Sequence, residues 1–144
     1  MDFVEVKNLI IKPGMELTVD GVFNANPERF SINVGHSTKE VAVHFDVRFS
    51  FGSDQRLLVM NHKTNDYWQE EQRDLRFPFT AGKPFQVSAI FNSDTFDIRL
   101  PDGQVVHFPN RLGAHEYKYI FFLGDATVKT ISVNVAGYNK APTP

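Results

Sequence analysis

Cysteine is absent from this chain of 144 residues, which excludes a disulfide framework and thiolate chemistry. A surplus of basic charge is missing too. Fifteen Lys and Arg stand against seventeen Asp and Glu, a formal net charge of -2. Such a balance gives no bulk electrostatic hold on a nucleic-acid backbone or an anionic membrane. The apolar runs are only a few residues long, far short of a membrane-inserted span. The opening MDFVEVKNLIIKPG carries no charged leader with an apolar run of signal-peptide length, and no Asn is followed two places on by Ser or Thr. The expectation is a chain outside the secretory pathway, cytoplasmic, and extracellular only by non-classical export. No segment shows the i, i+3, i+4 spacing of an amphipathic helix.

Phenylalanine is abundant, with fourteen copies, and apolar residues make up 42% of the chain. That content excludes a disordered chain, and the length suits one domain around one core. Strand-like runs separated by turn chemistry are predicted at Met15 to Phe23, Arg29 to Val34, Val41 to Phe51, Arg56 to Asn61 and Phe85 to Phe91. They continue at Phe96 to Leu100, Gln104 to Phe108, Tyr117 to Leu123 and Val128 to Val135. About ten strands imply two antiparallel sheets packed face to face, because one open sheet would expose an apolar face. The fold class is all-β, a β-sandwich filled by phenylalanine. The domain is expected to span residues 1–136, with a loosely ordered tail over 137–144 that has two prolines in its last three residues.

One run, VAVHFDVRFSF at Val41 to Phe51, alternates strictly. Val41, Val43, Phe45, Val47 and Phe49 share one parity, expected to face the core. His44, Asp46 and Arg48 share the other, expected to be an open face, spaced roughly 7 Å apart. Downstream, Asn61 ends the apolar run Leu57 to Met60, and the only tryptophan, Trp68, heads WQEEQR, which supplies Glu71 and Arg73. If these strands are neighbours, the polar side chains gather around one indole. That composition suits a neutral pyranose. Arg forks onto two oxygens, carboxylates accept, Asn does both, and His does either according to tautomer. An aromatic ring packs against the apolar C–H face of a sugar. Affinity would be weak, roughly 10 µM to 1 mM for a disaccharide.

The pattern resembles that of the galectins, the β-galactoside-binding lectins, which read H-x-N-P-R, V-x-N and W-x-x-E-x-R. Here these are HFDVR at His44 to Arg48, VMN at Val59 to Asn61 and WQEEQR at Trp68 to Arg73. FSINVG at Phe30, FPFTAGKPFQV at Phe77 and FPNRLG at Phe108 agree. The resemblance implies an antiparallel jelly-roll sandwich of about five and six strands, with the site on the concave sheet. It implies that His44 and Arg48 bind the axial 4-hydroxyl of galactose, Asn61 the 6-hydroxyl and Trp68 the apolar face. Glu71 and Arg73 would reach the following glucose or N-acetylglucosamine. It also implies one recognition domain per chain that cross-links β-galactoside glycans as a homodimer or higher homo-oligomer, with Phe3 to Val6 and Ile131 to Val135 as candidate interface strands.

Two positions depart from the pattern. Val47 stands where the family has Pro, at a core parity. Asp46 stands where it has Asn; an ionised carboxylate accepts a hydrogen bond but cannot donate, and it attracts Arg48. The alternative is therefore a galectin-related structural or protein-interaction module with weakened or lost sugar binding. The loop SFGSDQR, Ser50 to Arg56, is expected beside the site, with Arg56 facing sulfated or sialylated substituents. Catalysis is not expected. Glu70 and Glu71 would point to opposite faces of a strand, and arginines near Asp46 and Glu71 keep them ionised where a general acid needs a raised pKa. His36, His44, His62, His107 and His115 lack metal-ligand spacing, and Asp102-Gly103 reads as a hairpin turn, so neither metal nor cofactor is expected.

Overall fold

The computed structural model describes residues 3–137, and every regular element among them is a strand. In chain order these are β1 (Val4–Ile11), β2 (Met15–Phe23), β3 (Arg29–Gly35), β4 (Val41–Phe51), β5 (Asp54–Thr64) and β6 (Tyr67–Trp68). Then follow β7 (Gln72–Asp74), β8 (Pro84–Phe91), β9 (Thr95–Arg99), β10 (Val105–Pro109), β11 (Tyr117–Gly124) and β12 (Ala126–Val135). The tail expected over 137–144 lies outside the described residues, save for Gly137 in a turn.

The strands form two antiparallel sheets, a jelly-roll sandwich. One runs β10-β9-β8-β2-β12; the other runs β1-β11-β3-β4-β5-β6, with β7 also paired to β5. The second sheet therefore has seven strands rather than about six. The last position is split because β6 and β7 share β5, pairing with Lys63–Thr64 and with Leu58–Met60. A turn with Asn65 and Asp66 at φ 52° and 66° precedes β6, the left-handed geometry of a tight hairpin, which Asn and Asp tolerate.

Aromatic rings join the sheets. Phe23 of β2 stacks on Phe85 of β8 at 4.3 Å, and Phe85 meets Phe30 of β3 at 5.6 Å. Phe91 and Phe96 stack at 4.9 Å across the β8–β9 hairpin. Gly21 makes room for this packing, since a Cβ there would lie 2.7 Å from both Phe85 Cζ and the Thr127 carbonyl oxygen.

The alternation of β4 holds from Val43 to Val47, whose odd members join the main core. It fails at the start. Register shifts between Val41 and His44, Ala42 and Val43 both enter the core, and Val41 instead packs in a separate cluster with Tyr119 and Phe121. An irregularity of this kind slips parity by one residue, so Val41 lies on the face opposite to the one its position predicts.

Candidate functional site

Register assembles the site on the outer face of the seven-stranded sheet. His44 of β4 lies opposite Asn33 of β3 and Asn61 of β5. Asp46 lies opposite Ser31 and Val59, and Val59 in turn opposite Arg73 of β7. Arg48 lies opposite Arg29, and Trp68 of β6 opposite Lys63. Residues in these cross-strand rows are neighbours on one face, so segments far apart in sequence converge.

The polar row of β4 is not open. His44 retains 5% of its surface and Asp46 none, because arginines and the indole close over them. Burying a carboxylate is costly unless it is paired, and Asp46 is paired on both oxygens. Arg29 Nε donates to its Oδ1 at 3.3 Å, and Arg29 Nη2 lies 3.0 Å from its Oδ2. Arg48 Nε donates to Oδ2 at 2.8 Å. The chain of charges continues outward. Arg48 Nη1 donates to Asp54 at 2.6 Å, and its Nη2 lies 3.8 Å from Glu71. Arg73 donates to Asp54 at 2.9 Å and to Glu71 at 2.9 Å. Three guanidinium groups and three carboxylates alternate, so the cluster is close to neutral and its side chains fix one another.

Burial pushes the Asp46 carboxyl up, but bonding and charge from His44, Arg48 and Arg29 outweigh it and hold it below the ordinary range. Burial pushes His44 down, with Arg29 and Arg48 adding to the effect against the opposing pull of Asp46. The imidazole is neutral near pH 7, and its tautomer follows from the network. Asn33 Nδ2 donates to Ser31 Oγ at 3.0 Å and to the Phe121 carbonyl at 3.2 Å. A carbonyl only accepts, so the amide nitrogen of Asn33 must face it, and Asn33 Oδ1 faces His44. The His44 Nδ1–H donates to that oxygen at 2.6 Å, and Nε2 is left as an acceptor.

These groups line a hollow of about 370 Å³, bounded by Arg29, His44, Arg48, Asn61, Trp68 and Glu71 among others. Trp68 is 47% exposed and tilts over His44 at 4.5 Å between ring centroids. Lys63, which borders a second hollow of about 300 Å³ that shares Arg29, His44 and Trp68 with the first, lies 4.4 Å over the indole. Asn61 is held by a bond from its Nδ2 to the Gln69 carbonyl at 3.2 Å and by the His62 N–H donating to its Oδ1 at 2.8 Å. Its amide keeps one further N–H.

All seven residues singled out in the sequence therefore meet on this face. His44, Arg48, Asn61, Trp68 and Glu71 line the hollow, Asp46 lies beneath it, and Arg73 backs Asp54 and Glu71. Two details differ. Glu70 and Glu71 lie in the irregular segment between β6 and β7, so strand alternation is not what parts them. The Glu70 carbonyl accepts from Arg111 while Glu71 accepts from Arg73. Arg56 does not face the hollow. At φ 49° it reaches back to donate to the Phe77 carbonyl and lies 4.9 Å over the Phe77 ring. From that loop it is Asp54 that joins the cluster. Sequence reasoning also missed Arg29 and Asn33. Their signal was the alternation Arg29, Ser31, Asn33 against Phe30, Ile32, Val34, which puts a second polar row beside that of β4.

Comparison with known proteins agrees with this geometry. The profile of the family described as galactoside-binding lectin matches residues 3–133. Galactose-binding lectin l-1 of Anguilla japonica is 79% identical over 136 residues, covering 94% of this chain and 96% of that protein. The crystal structure of an ancestral congerin superposes with a TM-score of 0.88 at 52% identity, over 91% of this chain and 99% of that one. Congerin II liganded with lactose and MES gives 0.89 at 46% identity, over 92% and 100%.

Proposed function

Because the chain belongs to the galactoside-binding lectin family, the galectins, we propose that the hollow beside Trp68 binds β-galactosides of the lactose or N-acetyllactosamine type without chemical change. The observation that carries this reading is the pairing of His44 and Arg48 at one wall. His44 Nε2 accepts and the uncommitted N–H groups of Arg48 donate, so one hydroxyl can donate to the first and accept from the second. An axial 4-hydroxyl directed at β4 would meet both, which an equatorial one, lying near the plane of the sugar ring, would not. The remaining N–H of Asn61 would take the 6-hydroxyl, and the exposed part of the Trp68 indole would pack on the apolar side of the pyranose. Glu71 and Arg73 would meet the next sugar.

Asp46 supports binding rather than a module with lost sugar recognition. Its charge is met by two arginines, and Arg48 spends only Nε on it. Asp46 and Asp54 both lie below the ordinary carboxylate range, Asp54 through bonding to Arg73 and Arg48, the reverse of what a general acid needs. The lactose carried by the congerin II structure is in keeping with the same ligand class. We propose further that two copies associate through β1 and β12, the outermost strands of the two sheets, each with one edge that no strand pairs among the described residues. Free strand edges invite such pairing, and two sites per particle would cross-link glycans.

Calorimetric titration tests the site. Lactose should give saturable heat with a Kd of roughly 10 µM to 1 mM, and Arg48→Ala should abolish it. No heat at millimolar lactose would contradict the assignment.

A further inference from the structure

Arg29 is the one guanidinium of the cluster that comes from outside the segments containing the sugar-site pattern. Its register partner is Arg48, and that of Asp46 is Ser31, so Arg29 reaches Asp46 on the diagonal. It is firmly placed. The Asp125 carboxylate accepts from the Glu28 and Arg29 N–H groups at 2.9 and 3.4 Å, and the Asp125 N–H donates to the Arg29 carbonyl at 2.8 Å. Gly124, at φ 114°, lets β11 end there, since a Cβ would lie 2.3 Å from the Arg29 carbonyl oxygen. The Arg29 and Arg48 guanidinium groups lie 4.2 and 5.0 Å over one ring, that of Phe51.

Arg29 alone supplies the donor to Asp46 Oδ1 and shares Oδ2 with Arg48. Without it, one oxygen of a fully buried carboxylate would lack a donor, and the cluster would carry an uncompensated negative charge. Two groups could answer that charge. Arg48 could swing its fork onto Asp46 and away from the hollow. Alternatively His44, whose Nε2 lies 3.8 Å from Asp46 Oδ2, could take a proton there and cease to accept.

We propose that Arg29 is a positioning residue of the sugar site, which neutralises buried Asp46 so that Arg48 stays a free donor and His44 Nε2 a free acceptor. This rests on the assignment of the hollow to a galactoside. The charged and polar groups around His44 are Asp46 and Arg48 on its own strand, Arg29 and Asn33 on β3, Lys63 on β5, Trp68 on β6 and Glu71 beyond it. Among these, Arg29 and Arg48 are the cations that depress the imidazole, so losing Arg29 both removes a cation and leaves Asp46 to attract a proton.

Four chains test it: the natural one, Arg29→Met, Asp46→Asn and the double variant. Arg29→Met should weaken lactose about ten-fold, the coupling expected within one ion-pair network, with a greater loss at about pH 6 than at about pH 8. In the Asp46→Asn background, Arg29→Met should cost less than about two-fold. NMR titration of the unliganded chains supplies a reading independent of lactose. The His44 imidazole should titrate higher in Arg29→Met and return when Asp46→Asn is added. Equal losses in both backgrounds, no loss at all, or an unmoved His44 titration would each overturn the proposal. If the natural chain gives no heat with lactose, the ligand assignment fails while the His44 titration still decides the role of Arg29. Should Arg29→Met not fold, Arg29→Lys keeps the charge without the fork, and its His44 titration should lie close to that of the natural chain.

Discussion

His44 is held neutral by burial: its Nδ1–H donates to Asn33 Oδ1, and Nε2, 3.8 Å from Asp46 Oδ2, is the ring nitrogen proposed to accept from a ligand hydroxyl. Its native pKa lies below the ordinary value of 6.5, through burial first and the arginines next. Protonation therefore favours the unfolded chain. The stability this gives is complete above about pH 6.5 and is lost as pH falls toward the lower native value. Asp46 is also shifted down, so its contribution persists above the ordinary carboxylate value of 3.8 and is lost only in stronger acid. Two losses in sequence are expected. Urea midpoints followed from pH 7 downward should begin to fall below about 6.5, whereas lactose affinity should hold until pH nears the lower native value, where folded His44 takes up a proton. Midpoints that stay flat below about pH 6.5 would mean that His44 is not buried neutral, and an affinity that holds where NMR shows folded His44 protonated would mean that it is not an acceptor for ligand.

At the scale of elements, the strand positions of His44, Asp46 and Arg48 were legible because side-chain parity in β4 is local. The closure of that face was not, since it depends on Arg29 arriving from β3 and Asp54 from the β4–β5 turn. Nor was the reversal at Val41, which follows from a register shift between paired strands. Asn65-Asp66 held the chemistry of a tight turn, and the hairpin it makes sets Trp68 opposite Lys63. The sandwich was readable from alternation and phenylalanine content, but the contact across it was not. Gly21 shows why, since the space it leaves is filled by Phe85 of a strand far along the chain. Gly21→Ala should destabilise the fold by about 1–3 kcal/mol, through overpacking against a ring and a backbone oxygen that cannot both retreat. Denaturant unfolding would measure it. Because the site is on the other sheet, lactose affinity of the folded fraction should be unchanged.

For the whole molecule, the proposed binding and the proposed cross-linking are tested separately. The proposed site draws on one chain, with Arg29, His44, Arg48, Asn61, Trp68 and Glu71 all lining one hollow. A monomer should therefore keep its lactose heat. Agglutination of galactoside-bearing cells needs at least two sites per particle. Light scattering on dilution should show an associated species at the concentrations that agglutinate, and agglutination should fail where that species dissociates. Agglutination by a demonstrated monomer would instead require a second site on the same chain.

Trp68 is the only tryptophan of the chain, and it stands at the hollow with nearly half its surface exposed. Its fluorescence therefore reports from the site itself. Titration with lactose should change that emission saturably, with a midpoint of roughly 10 µM to 1 mM. Cellobiose, which differs from lactose only by an equatorial 4-hydroxyl on the terminal sugar, should leave it unchanged. An emission that lactose does not alter, or that cellobiose alters equally, would contradict the assignment of His44 and Arg48 to an axial hydroxyl.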